Sequence, residues 1–145
     1  MAILDWPGKS YIESGLPPHP AVYHMLDVAA VAERLVDTAV LDRPVREALV
    51  LLIALHDLGK ISESFRRMLE SGARQAVRHW ELTEVLLFES DQHLSAHLGG
   101  DPWTRQTLYA AVAGHHGRPS TKQLGGLLHQ GRRPRDYRLA LEAVG

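Results

Sequence analysis

An apolar run from Ala48 to Leu55 leads directly into the dipeptide His56-Asp57, and this junction constrains the fold more than any other part of the sequence. The run has the length of a buried core helix and is too short to cross a membrane. Polar, ligand-type side chains at the end of a buried helix are costly to desolvate unless another group uses them. The junction therefore predicts a helical core with a functional site at one helix end.

The central part of the chain has the three- and four-residue apolar spacing of helices, and it contains no convincing period-two runs. Five helices are predicted. The first starts at Ala21, the second runs from Pro44 to Asp57 with Gly59 as its terminator, and the third follows a cap at Ser62 and ends at Gly72. The fourth runs from His79 to Glu89, and the fifth runs from Asp101-Pro102 to about Gly114. We therefore expect an all-α fold, a bundle of about five or more helices.

The length of 145 residues predicts one domain over the whole chain. Residues 1–20 are rich in Pro, Gly and Ser and are predicted to form an irregular arm. Residues 117–145 are rich in Gly, Arg and Pro and are predicted to form a loop-rich, basic tail, consistent with a truncated domain. No secretory signal or membrane-length apolar segment is present, so we expect a cytoplasmic protein that does not contact a membrane.

The composition limits the chemistry of any site. The chain has no cysteine, which excludes disulfides and cysteine-based zinc or iron–sulfur centres, but it has nine histidines. Because the net charge is only −1, a nucleic-acid groove would have to come from local basic patches. The candidates for such patches are Arg66, Arg67, Arg118 and Lys122. The phosphate-cradling motif G-x-x-x-x-G-K-S/T is absent, so any use of ATP requires another chain or domain.

Six side chains fall at or near predicted helix ends, where several helices of a bundle can bring them together. These are His24, His56, Asp57, His79, His115 and His116. Asp57 has two oxygens and could bridge two metal ions, which can activate a water and clamp a phosphodiester. Lys60 could offer a positive charge to a phosphate or a leaving oxygen.

The remaining histidines and the tryptophans have simpler interpretations. His93 and His97 have the four-residue spacing of a helical zinc site, but Gly99-Gly100 follows at once, and we predict surface positions for both. Trp80 and Trp103 are predicted to lie in the core.

On these residues, the chain resembles the HD superfamily of metal-dependent phosphohydrolases, and most closely the HD nuclease domain of the CRISPR-associated helicase-nuclease of type I systems. The matching segments are Tyr23-His24-Met25-Leu26-Asp27-Val28-Ala29, Ala54-Leu55-His56-Asp57-Leu58-Gly59-Lys60, Arg78-His79-Trp80-Glu81 and Ala113-Gly114-His115-His116-Gly117. The separate His79 together with the adjacent doublet favours the nuclease branch over simpler HD enzymes.

The resemblance implies a two-metal site. One metal would be bound by His24, the His56-Asp57 pair and a late aspartate, and the other by Asp57, His79 and the His115-His116 doublet. The implied cofactors are two divalent transition metal ions (Mn, Ni, Co or Fe, with Mg as an alternative). The implied substrate is single-stranded DNA, including the strand displaced by a guide RNA. The implied partners are a helicase domain or subunit and the guide-RNA surveillance complex, Cascade.

One position departs from the family pattern. The only aspartate after the doublet is Asp136, and its context, Arg135-Asp136-Tyr137-Arg138, is not typical of a buried metal-site helix. The first metal site is therefore expected to lack a ligand. Two alternatives stay open at this point: an HD phosphohydrolase acting on nucleotides, and an inactive HD fragment that binds the surveillance complex or the helicase.

Overall fold

The computed structural model describes residues 3–9, 19–75 and 77–117. The six α-helices in these ranges are α1 (Ala21–Val36), α2 (Arg43–Ala54), α3 (Glu63–Ser71), α4 (His79–Glu89), α5 (Asp91–Leu98) and α6 (Pro102–Ala113). Three short 3-10 helices span Ile3–Asp5, Leu58–Lys60 and Gly114–His116. One isolated bridge between Pro7 and Pro20 is the only β pairing in the described part of the chain. The prediction of an all-α bundle is confirmed.

Both ends of α3 and the start of α6 follow from local capping. The side chain of Ser62 accepts a hydrogen bond from the backbone N–H of Phe65 at 3.2 Å and starts α3, as predicted. Gly72 ends that helix in the left-handed conformation (φ +68°). The carboxylate of Asp101 accepts from the N–H groups of Trp103 and Thr104 and starts α6.

The predicted end of α2 is wrong. The helix ends at Ala54 rather than at Asp57, because the backbone N–H of Leu55 is already shared between the carbonyls of Leu51 and Leu52. Nor does Gly59 terminate it. Gly59 lies inside the following 3-10 helix, and its φ is not positive.

Helix α4 lies at the centre of the fold. Every residue from Glu81 to Leu87 is buried, so two apolar clusters form on different faces of this helix. The first contains Ala21, Met25, Leu58, Ile61 and Leu86, and the second contains Leu52, Leu87 and Tyr109. The first cluster joins the start of α1 to the segment after α2, and the second joins α2 to α6. Burial on all faces explains why α4 shows almost no amphipathic pattern.

The described N-terminal segment packs on the start of α1. The backbone N–H of Ala21 donates to the carbonyl of Trp6 at 2.7 Å, and that of Gly8 donates to the carbonyl of His19 at 3.0 Å. The Trp6 ring packs against the first apolar cluster. These contacts fix the N-terminal end of α1, which carries His24.

Helix α5 was not predicted from the sequence, and a polar network holds it against α6. The guanidinium of Arg105 donates to both carboxylate oxygens of Asp91, at 2.6 and 2.8 Å, and to the carbonyl of Gly100 at 2.6 Å. The Tyr109 hydroxyl donates to the same carboxylate at 2.8 Å, and this bond, after burial, raises the pKa of the phenol. A bidentate, charge-assisted pair of this kind fixes two helices in one geometry.

Replacing Asp91 with Asn should therefore lower the thermal midpoint by several degrees without changing metal binding. The amide cannot accept both guanidinium bonds, and Arg105 lies in a largely buried position. Thermal unfolding followed by circular dichroism measures the first effect, and elemental analysis measures the second. A loss of bound metal from this variant would contradict the structural role.

His93 and His97 are exposed on α5, as predicted. The prediction for Trp103 is wrong: its ring is 78% exposed at the start of α6, where the capping carboxylate of Asp101 positions the backbone and the apolar cluster is filled by other residues. Trp80 is partly buried.

Within the described ranges, no helix combines the length and the apolar character needed to cross a membrane.

Candidate metal centre

Six side chains from four separate segments of the chain converge around one buried carboxylate. His24 lies in the first turn of α1, His56 and Asp57 lie in the turn after α2, His79 is the first residue of α4, and His115 and His116 belong to the 3-10 helix after α6. Each segment is a helix end, as expected from the sequence, and the bundle brings the ends to one place.

The turn that carries His56 and Asp57 is held by backbone hydrogen bonds of the 3-10 type, each of which joins residues three apart. The backbone N–H of His56 donates to the carbonyl of Ile53 at 3.2 Å, and that of Lys60 donates to the carbonyl of Asp57 at 2.8 Å. This geometry turns both side chains away from the axis of α2 and toward the other ligands.

Gly59 couples this turn to the start of α4. Its backbone N–H donates to the hydroxyl of Thr83 at 2.9 Å, and that hydroxyl donates to the carbonyl of His79 at 3.1 Å. A Cβ atom on Gly59 would fall on the carbonyl oxygen of His79, far inside contact distance. Thr83 could not be singled out from the sequence, because a buried threonine in an apolar helix carries no signal of this role.

Asp57 is the centre of the cluster, since its side chain is only 2% exposed and its two oxygens face different groups. Oδ2 lies 3.1 Å from Nε2 of His56, 3.3 Å from Nε2 of His24 and 2.6 Å from Nζ of Lys60. Oδ1 lies 3.5 Å from Nε2 of His115 and 3.6 Å from Nε2 of His79.

The arrangement fits metal ligation. Oδ1 of Asp57 is buried and has no hydrogen-bond partner among the described residues, which is costly for a carboxylate oxygen unless a cation binds there. Two groups of donor atoms, each within 4.8 Å of one another, share Asp57. The first is Asp57, His79, His115 and His116, and the second is His24, His56 and Asp57. Atoms that each lie about 2.1 Å from one ion are roughly 3–3.5 Å apart, close to the distances seen here.

Backbone carbonyls set the tautomers of two histidines. Nδ1 of His56 lies 2.7 Å from the carbonyl of Ile53, and Nδ1 of His115 lies 2.9 Å from the carbonyl of Val112. Because a carbonyl can only accept, each Nδ1 carries a proton, and Nε2 is the ring atom that faces Asp57 and can bind a metal once it has no proton. Metal-ligating histidines are oriented in this way in proteins.

The electrostatics favour the ionisation states that a metal needs. Burial lowers the pKa of His79 to about 4, and it also lowers the pKa of His24 and of His116. Burial acts against the charge on Asp57 too, but hydrogen bonds, first of all with His56, outweigh it and hold the pKa of the carboxyl well below its usual range. Burial also opposes protonation of His56, yet the bond to Asp57 prevails and raises its pKa. An ionised carboxylate among mostly neutral imidazoles is the state that binds metal.

The remaining predicted site residues have different surroundings. Lys60 is bound to Asp57, as described above. Arg66 and Arg67 lie on α3 and pair with acids of the same helix: both guanidinium groups contact Glu63, and Arg66 also contacts Glu70. The predicted nucleic-acid contacts Arg118 and Lys122, and the late Asp136, lie outside the described residues.

The comparisons with known proteins agree with this geometry. No curated protein and no solved structure matches the chain significantly. A family model described as "Cas3, HD domain" matches residues 6–143, which cover nearly the whole sequence and all six candidate ligands. The all-α bundle and the cluster of histidines around one aspartate are consistent with this match. We conclude that the chain is a member of the Cas3 HD domain family.

Proposed function

We propose that this chain is a metal-dependent nuclease that cleaves single-stranded DNA, including the strand displaced in type I CRISPR interference. The family is one of HD-type metal-dependent nucleases and phosphohydrolases. The observation that carries the proposal is the division of donor atoms into two groups that share the carboxylate of Asp57. A shared carboxylate is a common feature of sites that hold two ions close together over one phosphodiester.

In this proposal, one ion would be held by Asp57, His79, His115 and His116, and the other would be held by Asp57, His24 and His56. Divalent ions bound there would be Mn, Ni, Co or Fe, with Mg as an alternative, and they would polarise the phosphodiester and lower the pKa of a water. The carbonyls of Ile53 and Val112 keep the ligating imidazoles oriented.

Lys60 contacts the substrate in this proposal. Its ammonium has three donors, and one of them is used by Asp57 at 2.6 Å. The others can bind a phosphate oxygen while Asp57 remains bound. Its side chain is 13% exposed, so such a contact would form in a largely desolvated place, where charge interactions are stronger than in water.

The two groups differ in the number of protein ligands. The group around Oδ1 has four donors, whereas the group around Oδ2 has three among the described residues. We therefore expect one ion to be held tightly and a second to be held more weakly. Elemental analysis after dialysis at rising metal concentration should give close to one ion per chain first and two only at excess metal. A chain that retains no metal would contradict the proposal.

Cleavage tests the function directly. The chain, stripped with a chelator and then supplied with Mn, Ni, Co or Fe, should cut a single-stranded circular DNA and leave the matching duplex circle intact. Cutting of a circle shows an internal phosphodiester break, and release of phosphate from mononucleotides would instead indicate a nucleotide phosphohydrolase. No cutting with any of these ions would favour an inactive fragment that only binds its partners.

We further propose that a helicase, as a domain or a separate subunit, delivers the strand, and that the guide-RNA surveillance complex recruits the assembly. Support comes from the family match and from the absence of a phosphate-cradling ATP motif in the sequence. Because strand unwinding needs ATP, the unwinding activity would have to come from that helicase.

A further inference from the structure

A groove of about 460 Å³ lies between the end of α3 and the start of α4. Its lining includes Met68, Gly72, Arg74, Gln75, Arg78 and Trp80, and we call it the Trp80 groove. Its volume is within the roughly 300–1,000 Å³ of sites that hold small ligands or single ligand units. None of these residues belongs to the two groups of candidate metal ligands.

Trp80 connects the groove to the candidate metal centre. The centroid of its ring lies 5.0 Å from that of His116 and 5.1 Å from that of His79. The same indole therefore forms a wall of the groove and packs against two candidate ligands. A DNA strand with one phosphate at the ligands has its neighbouring nucleotide within reach of this wall.

The groove carries positive charge at its rim. Arg74 and Arg78 are both exposed, and the guanidinium of Arg78 lies over the Trp80 ring at 5.0 Å from its centroid. The acid in the lining, Glu81, is buried, and its carboxylate accepts the backbone N–H of Arg78 at 3.0 Å. These arginines thus differ from Arg66, which is already paired with acids on α3.

We propose that the Trp80 groove binds the nucleotide next to the cleaved phosphodiester, with Arg74 and Arg78 on the phosphate backbone and the base against the Trp80 ring. An aromatic ring beside cationic side chains is the combination that binds single strands without reading their sequence. This inference rests on the proposed function and adds to it a subsite for the substrate. It also gives Trp80 a role beyond the core position predicted from the sequence.

Binding in the absence of metal tests the inference without relying on cleavage. The probe is a fluorescein-labelled oligo-deoxythymidine, followed by anisotropy in a chelator at several salt concentrations. Trp80→Ala should weaken binding at least fivefold, and Trp80→Phe should restore most of it. The pair Arg74→Ala and Arg78→Ala should reduce the slope of log affinity against log salt by about 1.4, the value for two phosphate contacts on a single strand.

Matched controls use residues away from the groove. Trp103→Ala removes a more exposed indole, and Arg34→Ala with Arg43→Ala removes the same charge at the other end of α1 and the start of α2. Neither should change affinity as the groove variants do. Intrinsic fluorescence supplies a second measurement that needs no disruptive variant: the DNA-induced quenching of wild type should persist in Trp103→Phe and disappear in Trp80→Phe.

The outcomes separate this inference from the proposed function. If the chain cuts single-stranded DNA but the groove variants bind the probe as tightly as the controls do, the subsite is wrong and the nuclease stands. Quenching that survives Trp80→Phe has the same meaning. If the wild-type chain neither binds nor cuts single-stranded DNA, both the function and the subsite are wrong.

Discussion

Replacement of Asp57 by Asn should abolish DNA cleavage, with a loss of at least about 10³-fold, and should remove most of the bound metal. The carboxylate supplies one oxygen to each of the two donor groups, so its loss affects both at once. The amide offers a single oxygen, because an NH₂ group replaces the other oxygen of the carboxylate. In place of Oδ2, the NH₂ group would face Lys60 and its neighbours, and in place of Oδ1 it would face the imidazoles of His79 and His115.

The measurement combines single-turnover cleavage of a circular single strand with elemental analysis. Asp27→Asn is a suitable control, because Asp27 is an exposed carboxylate paired with His19 at 2.8 Å and takes no part in the cluster. The metal-free variant should also unfold at a lower temperature, since Lys60 loses its ionised partner in a largely buried place. Metal content and cleavage at wild-type levels in Asp57→Asn would remove the basis of the mechanism.

The parts of the fold that could be predicted are those with a local cause. Ser62 and Asp101 cap helices through their own side chains, and Gly72 ends one because it adopts a positive φ without strain. Such signals lie within a few residues of the position they determine. For the same reason His79 was correctly expected at a helix start.

Other features depend on contacts that are distant in sequence. Helix α5 has only eight residues, with Leu94 and Leu98 packed on the second apolar cluster, which is too short for a periodicity to be recognised. It is also held by a carboxylate, Asp91, whose partners Arg105 and Tyr109 lie on α6. The end of α2 depends on a change at Leu55, where backbone hydrogen bonds between residues four apart give way to bonds between residues three apart. Neither feature can be read from periodicity, because periodicity reports which face is apolar and not which polar groups meet.

For the candidate site, the sequence indicated the candidate donors but not their arrangement. Helix-end placement and the chemistry of histidine and aspartate were enough to select the six residues. Which of them face Oδ1 of Asp57 and which face Oδ2 depends on the packing of α1, α4 and α6 around the turn. The basic patch showed the opposite problem: Arg66 and Arg67 were selected by charge alone, and the acids one helical turn away, Glu63 and Glu70, already pair with them.

Gly59→Ala should be the most destabilising single-methyl substitution in the described part of the chain, costing about 3 kcal/mol or more of the free energy of unfolding. The added Cβ would meet the carbonyl oxygen of His79 and come within 2.8 Å of the backbone nitrogen of Thr83. Both obstacles are backbone atoms of α4, which is buried at the centre of the bundle, so neither can rotate away. Relief would require the turn carrying Asp57 to move away from His79, and this would separate the two sides of the candidate metal centre.

Gly72→Ala is the matched comparison. Its φ of +68° is unfavourable for alanine, but the added Cβ meets nothing within 4 Å, so we expect only the roughly 1–2 kcal/mol cost of a left-handed residue. Urea unfolding of both variants in a chelator separates steric overlap from backbone strain without a contribution from bound metal. A Gly59→Ala chain as stable as Gly72→Ala would mean that the turn and α4 are not in the close contact that brings Asp57 to His79.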